Sequence, residues 1–262
     1  MRHSLPRIDL FSDTKTRPSD AMKKAMVEAE LGDEQADEDP TTIELCDHVA
    51  DLLGKEKALF LPSGTMCNQI ALAIHCRPGD EIIAEETAHI INFEVGGAAV
   101  LANAMIRPVK GTNGLFALDQ LEAALRPAFR HAPKSRLVSV EQTSNLGGGS
   151  VWPMEQIESV TSTAREHGLA LHLDGARLWN ASAASGVNEV VYAGHFDTVS
   201  VCFSKGLGAP VGSILAGSPD VIAKARFCPT FLMKALVCWC FRGSGMLSNL
   251  EIRIALESEP MM

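Results

Sequence analysis

Lys205 stands where an amine could be made reactive. In Ser204-Lys205-Gly206-Leu207-Gly208 it follows directly on the apolar run 198–203. At the C-terminal end of a buried strand, among small residues, an amine can lose hydration and become nucleophilic. Asp174, in His172-Leu173-Asp174-Gly175-Ala176-Arg177, closes the preceding apolar run. A carboxylate placed there needs a partner or a chemical use. Pro62-Ser63-Gly64-Thr65-Met66-Cys67-Asn68-Gln69 follows the run 58–61 and opens a helix. Gly64 allows close backbone approach, Ser63 and Thr65 offer hydroxyls, and a helix N-terminus favours an anion such as phosphate. His89, in Glu85-Glu86-Thr87-Ala88-His89-Ile90, can stack its ring on a flat ligand.

Taken one at a time, these features have ordinary readings. Lys205 is a solvated loop lysine, and Asp174 is a helix N-cap or a strand-end turn residue. Residues 62–69 are a capped strand-to-helix turn, and His89 is a satisfied loop histidine. Together they ask for more. Open parallel sheets bind ligands at the C-terminal ends of their strands, and adjacent strand ends can present an amine beside a carboxylate. Pyridoxal 5'-phosphate (PLP) needs that pair, a lysine for the Schiff base and an acid against the pyridine nitrogen. The sequence contains neither GxGxxG nor GxxxxGK[ST], so nicotinamide and ATP lose support.

The hydropathy pattern describes a scaffold that could position these groups. Leu45, Val49, Leu52 and Leu53 share one face of a helix that begins after Pro40-Thr41 and stops at Gly54. Short apolar runs follow at 58–61, 81–84, 98–101, 137–140, 169–173, 198–203 and 213–216, with helical stretches such as 120–125 and 155–167 between them. Strands separated by helices predict an α/β fold of three layers, α/β/α, around a mostly parallel sheet. A chain of 262 residues, 46% hydrophobic with a mean hydropathy of +0.08, suffices for one large domain. From Phe227 the rhythm stops. Three of the seven cysteines and four of the ten methionines fall in those last 36 residues, which do not read as a continuation of the same domain.

The net charge of -9, with no Lys/Arg-rich block, gives no reason to expect nucleic-acid binding. The cysteines are irregularly spaced without a CxxC pair, and Cys238-Trp239-Cys240 is too tight for the usual structural zinc site. Buried thiols in a reducing compartment are expected. The first residues lack the apolar run of a secretion signal, and no segment offers 18 uncharged apolar residues. A soluble cytoplasmic protein without a membrane partner is the expectation.

Several segments, in order, extend the pattern. They are Asp9-Leu10-Phe11-Ser12-Asp13-Thr14-Lys15-Thr16-Arg17-Pro18, Gly32-Asp33-Glu34 through Glu38-Asp39-Pro40-Thr41, Pro62-Ser63-Gly64-Thr65, Glu94-Val95-Gly96-Gly97-Ala98-Ala99, and Asp174-Gly175-Ala176-Arg177 followed by Ser204 through Gly212. Over about residues 8–226 this set resembles the threonine aldolase family. The resemblance implies the large domain of an aspartate-aminotransferase-like (fold type I) PLP enzyme. Lys205 would then carry PLP, Asp174 would keep the pyridine nitrogen protonated, and His89 would stack on the ring. Ser63, Gly64, Thr65 and Ser204 would hold the phosphate. Ser12 and Arg177 would bind the substrate carboxylate, Arg177 through a charge-assisted contact. The implied reaction cleaves the Cα–Cβ bond of a small β-hydroxy amino acid such as threonine, giving glycine and an aldehyde, in a homodimer or homotetramer and with no metal.

The sequence departs from that family at three places. Glu141-Gln142-Thr143-Ser144-Asn145 puts Ser144 where family members carry a histidine near the substrate hydroxyl, and serine cannot do the same acid–base work at neutral pH. Ala36 replaces a tyrosine of the acidic loop. The family also continues into a smaller C-terminal domain that contributes an arginine, whereas this chain ends at Met262 and neither Arg242 nor Arg253 has a matching context. The expected organisation is a PLP-binding large domain with its N-terminal segment over 1–226, then an atypical tail over 227–262 with the small domain largely absent. Phe231, Leu232, Leu236, Val237 and Trp239 are available there to cover exposed apolar surface. Three readings stay open: a carbon–carbon lyase, a β-eliminating lyase that releases a keto acid and ammonia, and an inactive truncated chain.

Overall fold

The computed structural model describes residues 8–228. Beyond Cys228, the expected tail with its apolar cluster, Arg242 and Arg253 lies outside the described residues. In chain order the elements are α1 (Asp20–Glu28), α2 (Pro40–Leu52), β1 (Lys57–Leu61), α3 (Gly64–His75), β2 (Asp80–Glu85), α4 (His89–Asn92), α5 (Gly97–Val100) and β3 (Met105–Val109). They continue with α6 (Leu118–Ala124), β4 (Lys134–Glu141), α7 (Met154–Glu166), β5 (Ala170–Gly175), α8 (Leu178–Ser185), α9 (Glu189–Gly194), β6 (Thr198–Cys202), β7 (Ser213–Gly217) and α10 (Pro219–Arg226).

The strands form one seven-stranded sheet in the order β1-β7-β6-β5-β4-β2-β3. Only β7 runs against its neighbours, pairing antiparallel with both β1 and β6. Alternation along each strand sorts side chains into two cores. Ile83, Val138, Val140, Ile214 and Ala216 join the core under α2, α6, α7, α8 and α9. Ile82, Ala84, Leu137 and Leu215 point the other way, toward α3, α5 and α10. Strands β2, β6 and β7 are buried along their whole length, as a sheet covered on both faces requires. The three-layer, mostly parallel α/β expectation therefore holds.

Local chemistry fixes where the helices begin. Asp39 accepts from the Thr42 N–H at 2.7 Å and Pro40 occupies the first turn, so α2 starts at Pro40, slightly before the start after Pro40-Thr41 that the hydropathy pattern predicts. Ser63 caps α3, accepting from the Met66 N–H at 3.3 Å. Helix α7 buries Ile157, Val160, Thr161 and Ala164, a stripe at helical spacing.

One expected strand is a helix. Residues 98–101 lie in and just beyond α5, and the strand comes later, as β3. Gly96, at φ +70, turns the chain into a short helix whose Ala98 is buried while Val100 is 72% exposed. Strand β3 escaped the hydropathy pattern because it is an edge strand carrying Arg107 and Pro108; edges favour charge and tolerate proline.

Candidate active site

The C-terminal ends of β5 and β6 lie side by side, with Gly175 paired to Val201. Asp174 sits at the end of β5, 4% exposed. Its Oδ1 accepts from the Ala176 N–H at 3.1 Å and its Oδ2 from Asn68 Nδ2 at 2.6 Å. Among the described residues no lysine or arginine pairs with it. Lys205 lies three residues past β6, partly buried, and its Nζ donates to Cys202 Sγ at 3.6 Å. Its amine enters no ion pair among the described residues.

Helix α3 joins the two. A methyl group at Gly64 would lie 2.7 Å from Cys202 Sγ, so glycine lets the start of α3 rest against the end of β6. One turn later on the same face, Asn68 reaches Asp174. Its Oδ1 accepts from Ser200 Oγ at 3.0 Å and from His172 Nε2 at 3.1 Å. Those donors fix the amide, so both Nδ2 hydrogens face carboxylates, one on Asp174 and the other on Glu94 Oε1 at 2.9 Å. Behind Asn68, His172 Nδ1 bonds Thr198 Oγ1 at 2.9 Å, and Thr198 Oγ1 bonds His75 Nε2 at 3.0 Å. Burial pushes both imidazoles down to about 4, so they are neutral supports.

His89 begins α4. Its ring Nδ1 lies 2.8 Å from Glu94 Oε1, and its main-chain N–H donates to Glu141 Oε2 at 2.7 Å. The hydrogen bond to Glu94 holds the imidazole above its ordinary range against the opposing effect of burial, with help from Asp174 and Glu141. A ring nitrogen of His89 and carboxylate oxygens of Glu94 and Asp174 all lie within 4.8 Å of one another. Burial, then the nearby Asp174 charge, raises Glu141 to about 7 despite hydrogen bonds from the His89 and Asn145 N–H groups.

The N-terminal segment crosses this edge. Arg177 grips Asp13 through both carboxylate oxygens, at 2.6 and 2.9 Å, and Thr16 Oγ1 donates to the Lys205 carbonyl at 2.5 Å. Burial pushes the Asp13 carboxyl up, but the Arg177 hydrogen bonds and charge outweigh it and hold it below its usual range. Ser12 is thereby carried next to the Asp13–Arg177 pair, its hydroxyl bonded to Thr14 Oγ1 at 2.8 Å. The guanidinium expected to meet a substrate is thus already engaged by a carboxylate of this chain.

At the start of α3, Ser63 takes the Met66 and Cys67 N–H groups with its hydroxyl and carbonyl. The N–H groups of Gly64 and Thr65, and the hydroxyls of Thr65 and Ser204, have no partner among the described residues. Ser144 is buried in a turn, accepting from the Gly147 N–H at 3.2 Å, and Ala36 is exposed in a 3-10 turn. A cavity of about 480 Å³ between α2, β1 and α10 is lined by none of the expected site residues.

The structure thus gathers Gly64, Lys205, Asp174 and His89 around one sheet edge and ties Ser12 and Arg177 to it through Asp13. Sequence reasoning missed Asn68, Glu94, Glu141, Asp13 and Cys202. The signal for Asn68 was its spacing, four residues after Gly64 on one helix face.

With an amine and a carboxylate at neighbouring strand ends of a mostly parallel sheet, the chain has the PLP-transferase type of fold. The chain belongs to the β-eliminating lyase family, whose sequence model matches residues 9–236. It is 44% identical over 219 residues to the low specificity L-threonine aldolase of Escherichia coli (strain K12), covering 83% of this chain and 65% of that protein. It is 41% identical over 221 residues to the corresponding protein of Saccharomyces cerevisiae, covering 83% and 56%. The chain therefore spans less than two thirds of these relatives. A threonine aldolase structure from Leishmania major superposes with a TM-score of 0.74 at 22% identity, covering 94% of this chain and 70% of that one, and supports the fold. Among the described residues, no helix is long and apolar enough to cross a membrane.

Proposed function

We propose that this chain forms the PLP-binding large domain, over residues 1–226, of an aldehyde-lyase that cleaves β-hydroxy amino acids such as threonine to glycine and an aldehyde. The observation that carries the proposal is the placement of Asp174 at the end of β5 and of Lys205 just past the end of the adjacent β6, with Gly64 and Asn68 of α3 lying against the two strand ends. The residues present fit the cofactor. Asp174 forms no salt bridge with a lysine or arginine among the described residues, the Lys205 amine forms none with a carboxylate although its charge reaches Asp13, and unpartnered donors cluster where α3 begins.

Lys205 would hold PLP through its amine, Asp174 would face the pyridine nitrogen, and His89 would lie on the ring. Gly64, Thr65, Ser63 and Ser204 would take the phosphate with N–H and hydroxyl donors. Bound PLP supplies an electron sink for the charge left on Cα when its bond to Cβ breaks. Arg177, steadied by Asp13, and Ser12 would orient the substrate carboxylate. His89 Nε2, which has no hydrogen-bond partner among the described residues, would in its neutral form accept the β-hydroxyl proton.

The buried Ser144 favours a second reading, β-elimination from another β-substituted amino acid, because no histidine stands there to take the hydroxyl proton. Assembly as a homodimer or homotetramer and a cytoplasmic location belong to the same proposal; the free thiols of Cys76 and Cys202 suit a reducing compartment. The test is a visible absorption spectrum of the purified chain with PLP, beside Lys205→Ala, followed by product analysis. The expected result is a band that the variant loses, a glycine-induced change, and aldehyde from threonine. A folded chain without the band would refute cofactor binding; keto acid and ammonia instead of glycine would move the assignment to β-elimination.

A further inference from the structure

Glu94 belongs to none of the roles assigned above, yet it is the most thoroughly satisfied carboxylate in the site. Its side chain is fully buried, while that of His89 is 29% exposed. Three side chains converge on it: His89 Nδ1 at 2.8 Å, Asn68 Nδ2 at 2.9 Å, and the Gln69 amide. An ionised carboxylate only accepts, so the hydrogen on the His89 ring is placed on Nδ1 and directed at Glu94. That leaves Nε2 for other work, while the Phe93 ring packs beside the imidazole with centroids 5.4 Å apart.

The backbone around Glu94 is shaped for this. Val95 adopts φ +54, which a β-branched residue rarely does, and its side chain is 99% exposed. Gly96 follows at φ +70. A methyl group at Gly97 would lie 2.3 Å from Gln69 Oε1, so glycine there makes room for the amide that donates to Glu94. Strained residues persist where surrounding structure over-determines them, and they concentrate at functional sites. This accounts for the Glu94-Val95-Gly96-Gly97 segment, which the assigned site residues leave unexplained.

We propose that Glu94 is a positioning residue, which clamps the His89 imidazole by Nδ1 in the orientation that meets the cofactor ring. The proposal rests on the reading that His89 lies against PLP. Charged groups facing His89 are Glu94, Asp174 and Glu141, and Arg177 interacts with the last two.

Two measurements test it. The first titrates the His89 ring by NMR in the cofactor-free protein, wild type beside Glu94→Gln. The midpoint should lie above about 6.5, the ordinary histidine value, and fall in the variant. A wild-type midpoint at or below that value overturns the clamp, even if Glu94→Gln does not fold. The second is a cycle of PLP dissociation constants for wild type, Glu94→Gln, His89→Phe and the double variant. Losing a hydrogen bond to a charged group predicts about tenfold or more weaker binding for Glu94→Gln. In the His89→Phe background the same change should cost less than about threefold, because the group it positions is gone. Equal factors in both backgrounds would make Glu94 merely structural. If wild type takes up no PLP, the cofactor reading fails, and the His89 titration still decides the role of Glu94.

Discussion

Asn68→Ala isolates the bridge between α3 and the strand ends. The amide donates to Asp174 and Glu94 and accepts from Ser200 and His172, all in buried surroundings. Each hydrogen bond to a charged group is worth about 1.5–3 kcal/mol, and unpaired buried donors add to the loss. Allowing for water entering the gap and for non-additivity, we expect about 4 kcal/mol of destabilisation, a large share of the roughly 5–15 kcal/mol that holds a domain folded. Asn68→Asp should do worse at neutral pH, since it places a third carboxylate against two others. At an effective dielectric of about 20, like charges about 4 Å apart repel by about 4 kcal/mol. That repulsion raises the pKa of the new carboxyl in the folded state, so its penalty is full at pH 8 and shrinks as pH falls toward the unfolded value. Equilibrium urea unfolding at pH 8 and pH 5, followed by the fluorescence of the largely buried Trp152 and Trp179, measures both. An Asn68→Ala variant within about 1 kcal/mol of wild type, or an Asn68→Asp variant indifferent to pH, would refute the bridge.

Gly64→Ala should destabilise by about 1–3 kcal/mol, because its methyl group meets Cys202 Sγ at 2.7 Å. Adding Cys202→Ala should recover most of that in thermal unfolding, and no recovery would mean the contact does not limit the approach. Glu141, raised from 4.5 to about 7, keeps its proton in the folded state where the unfolded chain has lost it. Its contribution to stability therefore declines as pH rises across that interval, by about 3 kcal/mol in all. In Glu141→Gln the decline between pH 5 and pH 8 should flatten by that order, on top of a pH-independent loss of one backbone hydrogen bond. Parallel pH profiles of wild type and variant would count against the assignment.

The sequence by itself determined the alternation of strands and helices, the start of α2 near Pro40-Thr41, and the positions of Lys205, Asp174 and Gly64 at strand ends. Those features are local: a hydropathy period, a cap, or a glycine next to an apolar run. It misread residues 98–101, because a short half-buried helix there carries the same apolar run as a strand, and it passed over β3, because a charged edge strand lacks that run. Only the tertiary structure decided which polar groups share a site. Asn68 and Asp174 are 106 residues apart, and Asp13 and Arg177 are 164 apart; no local spacing predicts such pairs. The strand order sets β5 beside β6 and lays α3 across their ends, so burial and hydrogen-bond satisfaction, rather than sequence proximity, choose the partners of each carboxylate.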